Sequence, residues 1–158
     1  MYKRQAKRVV ELLRPFGCKI LVYNRTHREE DLNVYNIAYA TKEQILQEAD
    51  IISLHLPITS ENKNLFSTQE FLSMKKTAFI INTARGALID EEALKIALQT
   101  GEIAGAGLES FVEEPTHNWE LIDLPNVVCL PHSGANSKES VLQMGRASIF
   151  HLREFFQV

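Results

Sequence analysis

Cysteine is scarce in this sequence: Cys18 and Cys129 are the only two among 158 residues. Two thiols cannot staple a disulfide scaffold, and this pair lacks metal-ligand spacing. Each sits in an apolar run, so the expectation is two buried free thiols in a reducing, cytoplasmic compartment. Long apolar runs are also missing. Stretches such as Ala78 to Ile81 are strand-sized, far short of the ~18 residues of a membrane span. Basic charge is not in excess, since 17 Lys and Arg against 20 Asp and Glu leave a net charge of −3, and no field for nucleic acid results. There is no repeat, low-complexity tract or linker, and no secretory signal is expected. The basic start (Lys3, Arg4, Lys7, Arg8) could mimic an organelle-targeting helix, but Glu11 and the later pattern fit an ordinary helix better. No pair of histidines has ligand spacing, so no metal is expected.

What is present is an alternation. Ala6, Val9, Val10, Leu12, Leu13 and Phe16 recur at helical spacing, and Pro15 and Gly17 stop that helix. Lys19 to Tyr23 reads as a buried strand, Thr26 to Leu32 as a short helical turn and Ile37 to Ala40 as a short strand. Thr41 with Gln44 three residues on forms a capping box for a helix through Glu48. Asp50 to Leu56 is a strand ended by Pro57. Ser67 to Met74 is a helix, Ala78 to Asn82 a strand, and Asp90 caps a helix over Glu91 to Gln99. Ile103 to Leu108 and Asn126 to Leu130 are strands, and Ser137 caps a last helix to about Phe155. Apolar strands alternating with helices predict an α/β, doubly wound, mostly parallel sheet covered on both faces, in one domain over residues 1–158.

Ligands of open α/β sheets sit beyond the carboxyl ends of the strands, and each strand here is followed by residues of chemical interest. Asn24-Arg25-Thr26 stands where an acidic residue often holds an adenosine ribose. A neutral Asn with Arg and a hydroxyl suits an extra 2′-phosphate, although a plain polar turn reads equally well. Pro57 can floor a flat ring, with Thr59, Glu61 and Asn62 after it. In Thr83-Ala84-Arg85-Gly86 the Arg has room for a bidentate grip on a carboxylate. Glu109 and then Glu114-Pro115 follow the fifth strand; Pro131-His132-Ser133-Gly134 follow the sixth. A His in a strand-end loop is a candidate proton donor, and a carboxylate beside it fixes its tautomer. Singly, each of these is more often a surface or turn residue. Together, an Arg, a Glu and a His on successive strands of one sheet suit reduction of a 2-keto acid.

The stretches RVVELLRPFGCKILVYNRT, EADIISLHLPITSENKNLF, KTAFIINTARGALIDEEAL, GEIAGAGLESFVEEP and LPNVVCLPHSGA resemble, in order and over nearly the whole chain, the coenzyme-binding domain of the D-isomer-specific 2-hydroxyacid dehydrogenases. The resemblance implies a Rossmann-type fold and hydride transfer between NAD(P)H and a small 2-keto or 2-hydroxy acid. It implies a catalytic trio of Arg85, Glu114 and His132. Cofactor contacts are implied at Asn24, Arg25, Thr26, Pro57, Thr83, Ala84 and Gly134. The family has Asp where this chain has Glu109, the place that meets the nicotinamide amide, and often Thr where it has Asn62. Asn24 in place of the acidic ribose residue leans the choice between NADP and NAD toward NADP.

The family's domain opens with a strand and G-x-G-x-x-G; here Met1, Lys3 and Ala6 stand at the three glycine places, and Lys3 puts a side chain where backbone must approach a pyrophosphate. The expectation is therefore a truncated NAD(P)-binding domain lacking its first strand, its glycine-rich loop and the substrate domain. The missing strand is central in the family's order, so Lys19 to Tyr23 and Asp50 to Leu56 should each carry a bare edge. Those edges are expected either to close onto each other or to pair with another chain, which makes a homo-oligomer the expectation. Three readings follow: an oxidoreductase that is weak or inactive as this chain alone; a non-catalytic module binding a dinucleotide or a protein, as in corepressor relatives; and an inactive remnant.

Overall fold

The computed structural model describes residues 3–24 and 36–157. The first helix, α1, spans Lys3–Leu13 and runs into a 3-10 turn over Arg14–Phe16. Strands β1 (Leu21–Val22) and β2 (Ala38–Tyr39) pair in parallel with each other. Helix α2 (Lys42–Glu48) starts at the expected capping box: the Thr41 hydroxyl accepts from Gln44 N–H at 3.1 Å, and the Gln44 side chain accepts from Thr41 N–H at 2.9 Å. Two of the orphan amides at the helix start are thus satisfied reciprocally.

A second sheet follows. Strands β3 (Ile51–Leu54), β4 (Phe79–Asn82), β5 (Gly105–Leu108) and β6 (Val127–Cys129) lie in that spatial order, all parallel. Helices α3 (Thr68–Ser73), α4 (Glu91–Thr100) and the single turn α5 (Trp119–Ile122) connect them, and α6 (Lys138–Phe156) follows β6. The turn α5 has no counterpart in the sequence expectations; its Leu121 is fully buried. The core lies against one face of the second sheet. Ile52, Leu54, Ile80, Ala106 and Leu108 meet Phe71, Leu94, Leu98 and Leu121 there. The alternation of burial along β3 follows from the pleat, which sends successive side chains to opposite faces.

Two expectations are corrected here. Among the described residues, the four-stranded sheet is covered on one face only: Ile51, Phe79 and Val128 are 65%, 46% and 68% exposed. Neither α1 nor α6 seats on that face; no residue of α6 is buried, and its Val141, Met144, Ile149 and Phe150 are exposed. Nor do the edges of β1 and β3 close onto each other. β1 takes its ladder from β2 and β3 takes its ladder from β4, in separate sheets. The reason lies in the core, which draws on β3 to β6 and holds no residue of β1, so no shared apolar contact pulls the two edges together.

The expectation for the thiols is corrected in the same way. Cys18 is exposed and Cys129 half-buried. Cys18 follows the unseated helix α1, and burial pushes the Cys129 thiol up. The short helical turn expected over Thr26 to Leu32 falls outside the described residues.

Candidate functional site

The carboxyl ends of β4, β5 and β6 lie side by side, because the three strands are consecutive neighbours and all point the same way. The loop after β4 is shaped by Asn82, whose 1% exposure puts an amide inside the fold. Both ends of that amide are engaged: Nδ2 donates to Arg85 O at 2.9 Å, and Oδ1 accepts from Ala84 N–H at 3.1 Å. The Thr83–Arg85 turn is thereby folded onto the strand end. Gly86 comes next because nothing larger fits: a Cβ there would stand 2.0 Å from the Phe111 carbonyl carbon. The loop after β4 thus touches the loop after β5 backbone to backbone.

The loop after β5 carries Glu114. Its Oε1 accepts from Phe111 N–H at 3.0 Å, and its Oε2 lies 2.8 Å from His132 Nδ1. The hydrogen bond to His132, then that from Phe111, holds the Glu114 carboxyl below its usual range, with a smaller contribution from the charge of Arg85. His132 sits in the loop after β6 at φ 50°, a left-handed conformation uncommon for a side chain larger than glycine. Two residues on, Gly134 N–H makes a short hydrogen bond to Glu109 Oε1. A Cβ on Gly134 would meet that same oxygen at 2.6 Å, so a larger residue there would push the Glu109 carboxylate aside.

Glu109, Glu114 and His132 line one cleft of about 470 Å³, whose walls include Phe111, Ile122 and Cys129. Arg85 does not line it: its guanidinium folds back on Ala84 O at 2.6 Å. The structure therefore brings two of the three expected catalytic side chains into contact and places the third nearby on an exposed loop. Asn62 is engaged within its own turn, donating to Pro57 O and accepting from Thr59 N–H, both at 2.7 Å. Thr83 and Ala84 stand at the β4 end, and Asn24 just past the β1 end. Arg25 and Thr26 lie outside the described residues.

The residues after strands β3 to β6 match a known arrangement. Residues 4–134 match the family profile of the D-isomer specific 2-hydroxyacid dehydrogenase, NAD binding domain.

This chain belongs to that family.

It is 46% identical over 125 residues to a glyoxylate reductase of Thermococcus litoralis, covering 79% of this chain and 38% of that protein. It is 40% identical over 143 residues to glyoxylate/hydroxypyruvate reductase B of Citrobacter koseri, covering 90% of this chain and 44% of that one. The fold superposes with a TM-score of 0.89 on the NAD-complexed D-isomer specific 2-hydroxyacid dehydrogenase of Lactobacillus delbrueckii ssp. bulgaricus, at 32% identity over 96% of this chain and 50% of that structure. The chain thus spans half or less of the length of these relatives. Among the described residues, no helix is long and apolar enough to cross a membrane.

The family's nicotinamide dinucleotide finds a partial fit. The Glu109 carboxylate is an acceptor lining the cleft, with one oxygen on Gly134 N–H. The first turn of α1 has no acidic residue to repel a diphosphate, while Lys3 stands at the second glycine place.

Sequence reasoning missed two contributors. Asn82 lies inside the quoted NTARG stretch but reads there as the last residue of a strand. Glu91 reads as a first-turn acidic residue favoured by the helix dipole. In the structure its carboxylate accepts from Val112 N–H at 2.7 Å, in the loop that carries Glu114. Ser110, between Glu109 and Phe111, is 3% exposed, and its hydroxyl has no hydrogen-bond partner among the described residues.

Proposed function

We propose that this chain is the coenzyme-binding part of an oxidoreductase that interconverts a small 2-keto acid, of the glyoxylate or hydroxypyruvate kind, and its 2-hydroxy acid. The observation that carries this reading is the 2.8 Å contact between His132 and Glu114 at the mouth of a cleft shared with Glu109. A bound nicotinamide dinucleotide supplies the hydride. His132 gives a proton to the substrate carbonyl oxygen in reduction and takes it back in oxidation. Glu114 fixes the tautomer, keeping the proton of the neutral ring on Nδ1, and stabilises the imidazolium. Arg85 holds the substrate carboxylate, for which its side chain must swing away from Ala84 O. Glu109 meets the nicotinamide amide, with a side chain one methylene longer than the family's Asp. Pro57, Asn62, Thr83, Ala84 and Gly134 line the cofactor's path.

NADP is the favoured dinucleotide, on the neutral Asn24 and the Arg25-Thr26 that follows. Turnover by the 158-residue chain alone is weak or absent, since hydride transfer needs cofactor and substrate held in one closed cleft. Titration with NADPH and with NADH, followed by fluorescence, and then a glyoxylate turnover assay test the reading. Saturable NADPH binding with turnover abolished in His132→Ala supports it in full. Binding without turnover is what this reading expects of the chain alone and is shared by a non-catalytic dinucleotide module, from which turnover lost in His132→Ala distinguishes it. Absence of binding sinks both, and tighter NADH binding removes the NADP preference.

A further inference from the structure

The loop that presents Glu114 runs from Phe111 to Asn118, and a single side chain from another element meets it near both ends. Glu91, the first residue of α4, accepts from Val112 N–H through Oε1 at 2.7 Å and from Asn118 Nδ2 through Oε2 at 3.4 Å. The neighbouring amide, that of Phe111, donates to Glu114 itself. Two consecutive N–H groups at the exit of β5 therefore face two carboxylates, one on a helix and one on the loop.

The helix is the firmer of the two supports. Asp90 caps it through Glu92 N–H and Ala93 N–H, both at 3.1 Å, and Ala93, Leu94, Ala97 and Leu98 bury its inner face. The loop has no helix or strand of its own before α5, and Glu114 is solvent-exposed. The reach of Glu114 to His132 is therefore set by where the loop backbone is held, not by burial of the side chain.

We propose that Glu91 is a positioning residue for the Glu114–His132 pair: its carboxylate ties both limbs of the 111–118 loop to α4 and so holds the Glu114 carboxylate against His132 Nδ1. The catalytic meaning of this clamp rests on the function proposed above; the clamp itself does not. The groups that face Glu114 are His132, Arg85 and, across the cleft, Glu109. Glu91 reaches the pair through the loop, on the amide next to the one that Glu114 holds.

The test compares the chain with its Glu91→Ala and Glu91→Gln variants by NMR, reading amide exchange and the titration of the Glu114 carboxyl. In Glu91→Ala, exchange at Val112 should speed up on the order of tenfold. The Glu114 titration should rise toward the ordinary Glu value, while the Leu94 and Leu98 amides keep their protection. Glu91→Gln retains an acceptor for Val112 N–H and should restore most of that amide's protection. Unchanged Val112 exchange and Glu114 titration in Glu91→Ala overturn the proposal. So does loss of Leu94 and Leu98 protection in both variants, which would make Glu91 a support of the helix only. Failure of the wild-type chain to bind either dinucleotide would sink the functional reading and leave this result standing. Where the wild type turns over, Glu91→Ala should lower kcat and leave the KM for dinucleotide unchanged.

Discussion

The two ends of this chain and its middle obey the same patterning rules and end differently. Helix α4 and helix α6 both begin at a side-chain cap, Asp90 and Ser137 respectively, and both carry apolar residues at helical spacing. Helix α4 buries Ala93, Leu94, Ala97 and Leu98, whereas α6 buries nothing and α1 leaves Leu12 and Leu13 exposed. Amphipathicity states that a helix needs a partner; it does not state that the partner is in the same chain. The middle, from Leu46 to Leu121, contains both the helices and the sheet face that they need. The apolar residues of α6 at one end and the bare side of β3 to β6 match in character but do not meet in this structure.

Substitution in the core gives the largest contrast. Leu94 is fully buried, and Leu94→Ala should cost about 2–5 kcal/mol in chemical denaturation. Leu152 on α6 is 57% exposed, and Leu152→Ala should change stability by less than about 0.5 kcal/mol. Equal losses at the two sites would mean that α6 is packed in solution and the contrast is wrong.

The ion pair at the border of the packed middle comes next. Burial alone would raise the Glu70 carboxyl. The Lys42 ammonium at 2.7 Å and the Ser67 hydroxyl and amide instead bring it down to about 2. A carboxyl depressed in the folded state contributes stability that is present above its unfolded pKa and lost as pH falls through the folded value. Between about pH 4.5 and 2 the chain should therefore lose up to about 3 kcal/mol from this group. Lys42→Met should flatten that acid limb, and an unchanged pH dependence in the variant would refute the assignment.

A smaller loss is expected where two site loops touch. Gly86→Ala puts a methyl into the Phe111 backbone and should cost about 1–3 kcal/mol. It should also shift the NMR signals of Phe111 and Val112 more than those of any residue in α6. Signals that move mainly in α6 would break the distinction between the packed middle and the ends. The smallest effect carries the opposite sign. Ser110 buries a hydroxyl with no partner, so Ser110→Ala should be neutral or stabilise by up to about 1 kcal/mol. A clear destabilisation would show that the hydroxyl has a partner in solution.

The bare faces and edges bear on self-association. The expectation that the β1 and β3 edges pair with another chain stands as a proposal. Sedimentation velocity across a range of concentrations tests it, with a monomer at every concentration as the outcome against it.

Much of the fold was legible because its signals are local. The Thr41–Gln44 capping box and the Asp90 cap each act within a few residues, and each is where the sequence placed it. The strands β3 to β6 were legible as apolar runs, although they are shorter in the structure. Within the candidate site, the pairing of Glu114 with His132 was foreseeable from parallel strand order, because consecutive parallel strands deliver their exits to one edge.

Other features were not legible, because they depend on through-space neighbours. The retreat of Arg85 onto Ala84 O, the capture of Gly134 by Glu109 and the clamp from Glu91 join residues through loop backbone whose path no residue pattern encodes. By itself the sequence determined the order of elements, the direction of the strands and the chemistry at their ends, since periodicity, caps and turn residues are properties of short segments. The tertiary structure alone decided which apolar faces found a partner, which edges stayed apart, and which carboxylate holds which loop. Those outcomes depend on shape and distance between segments far apart in the chain, where contact lasts only if burial or a hydrogen bond outweighs the entropy of bringing them together.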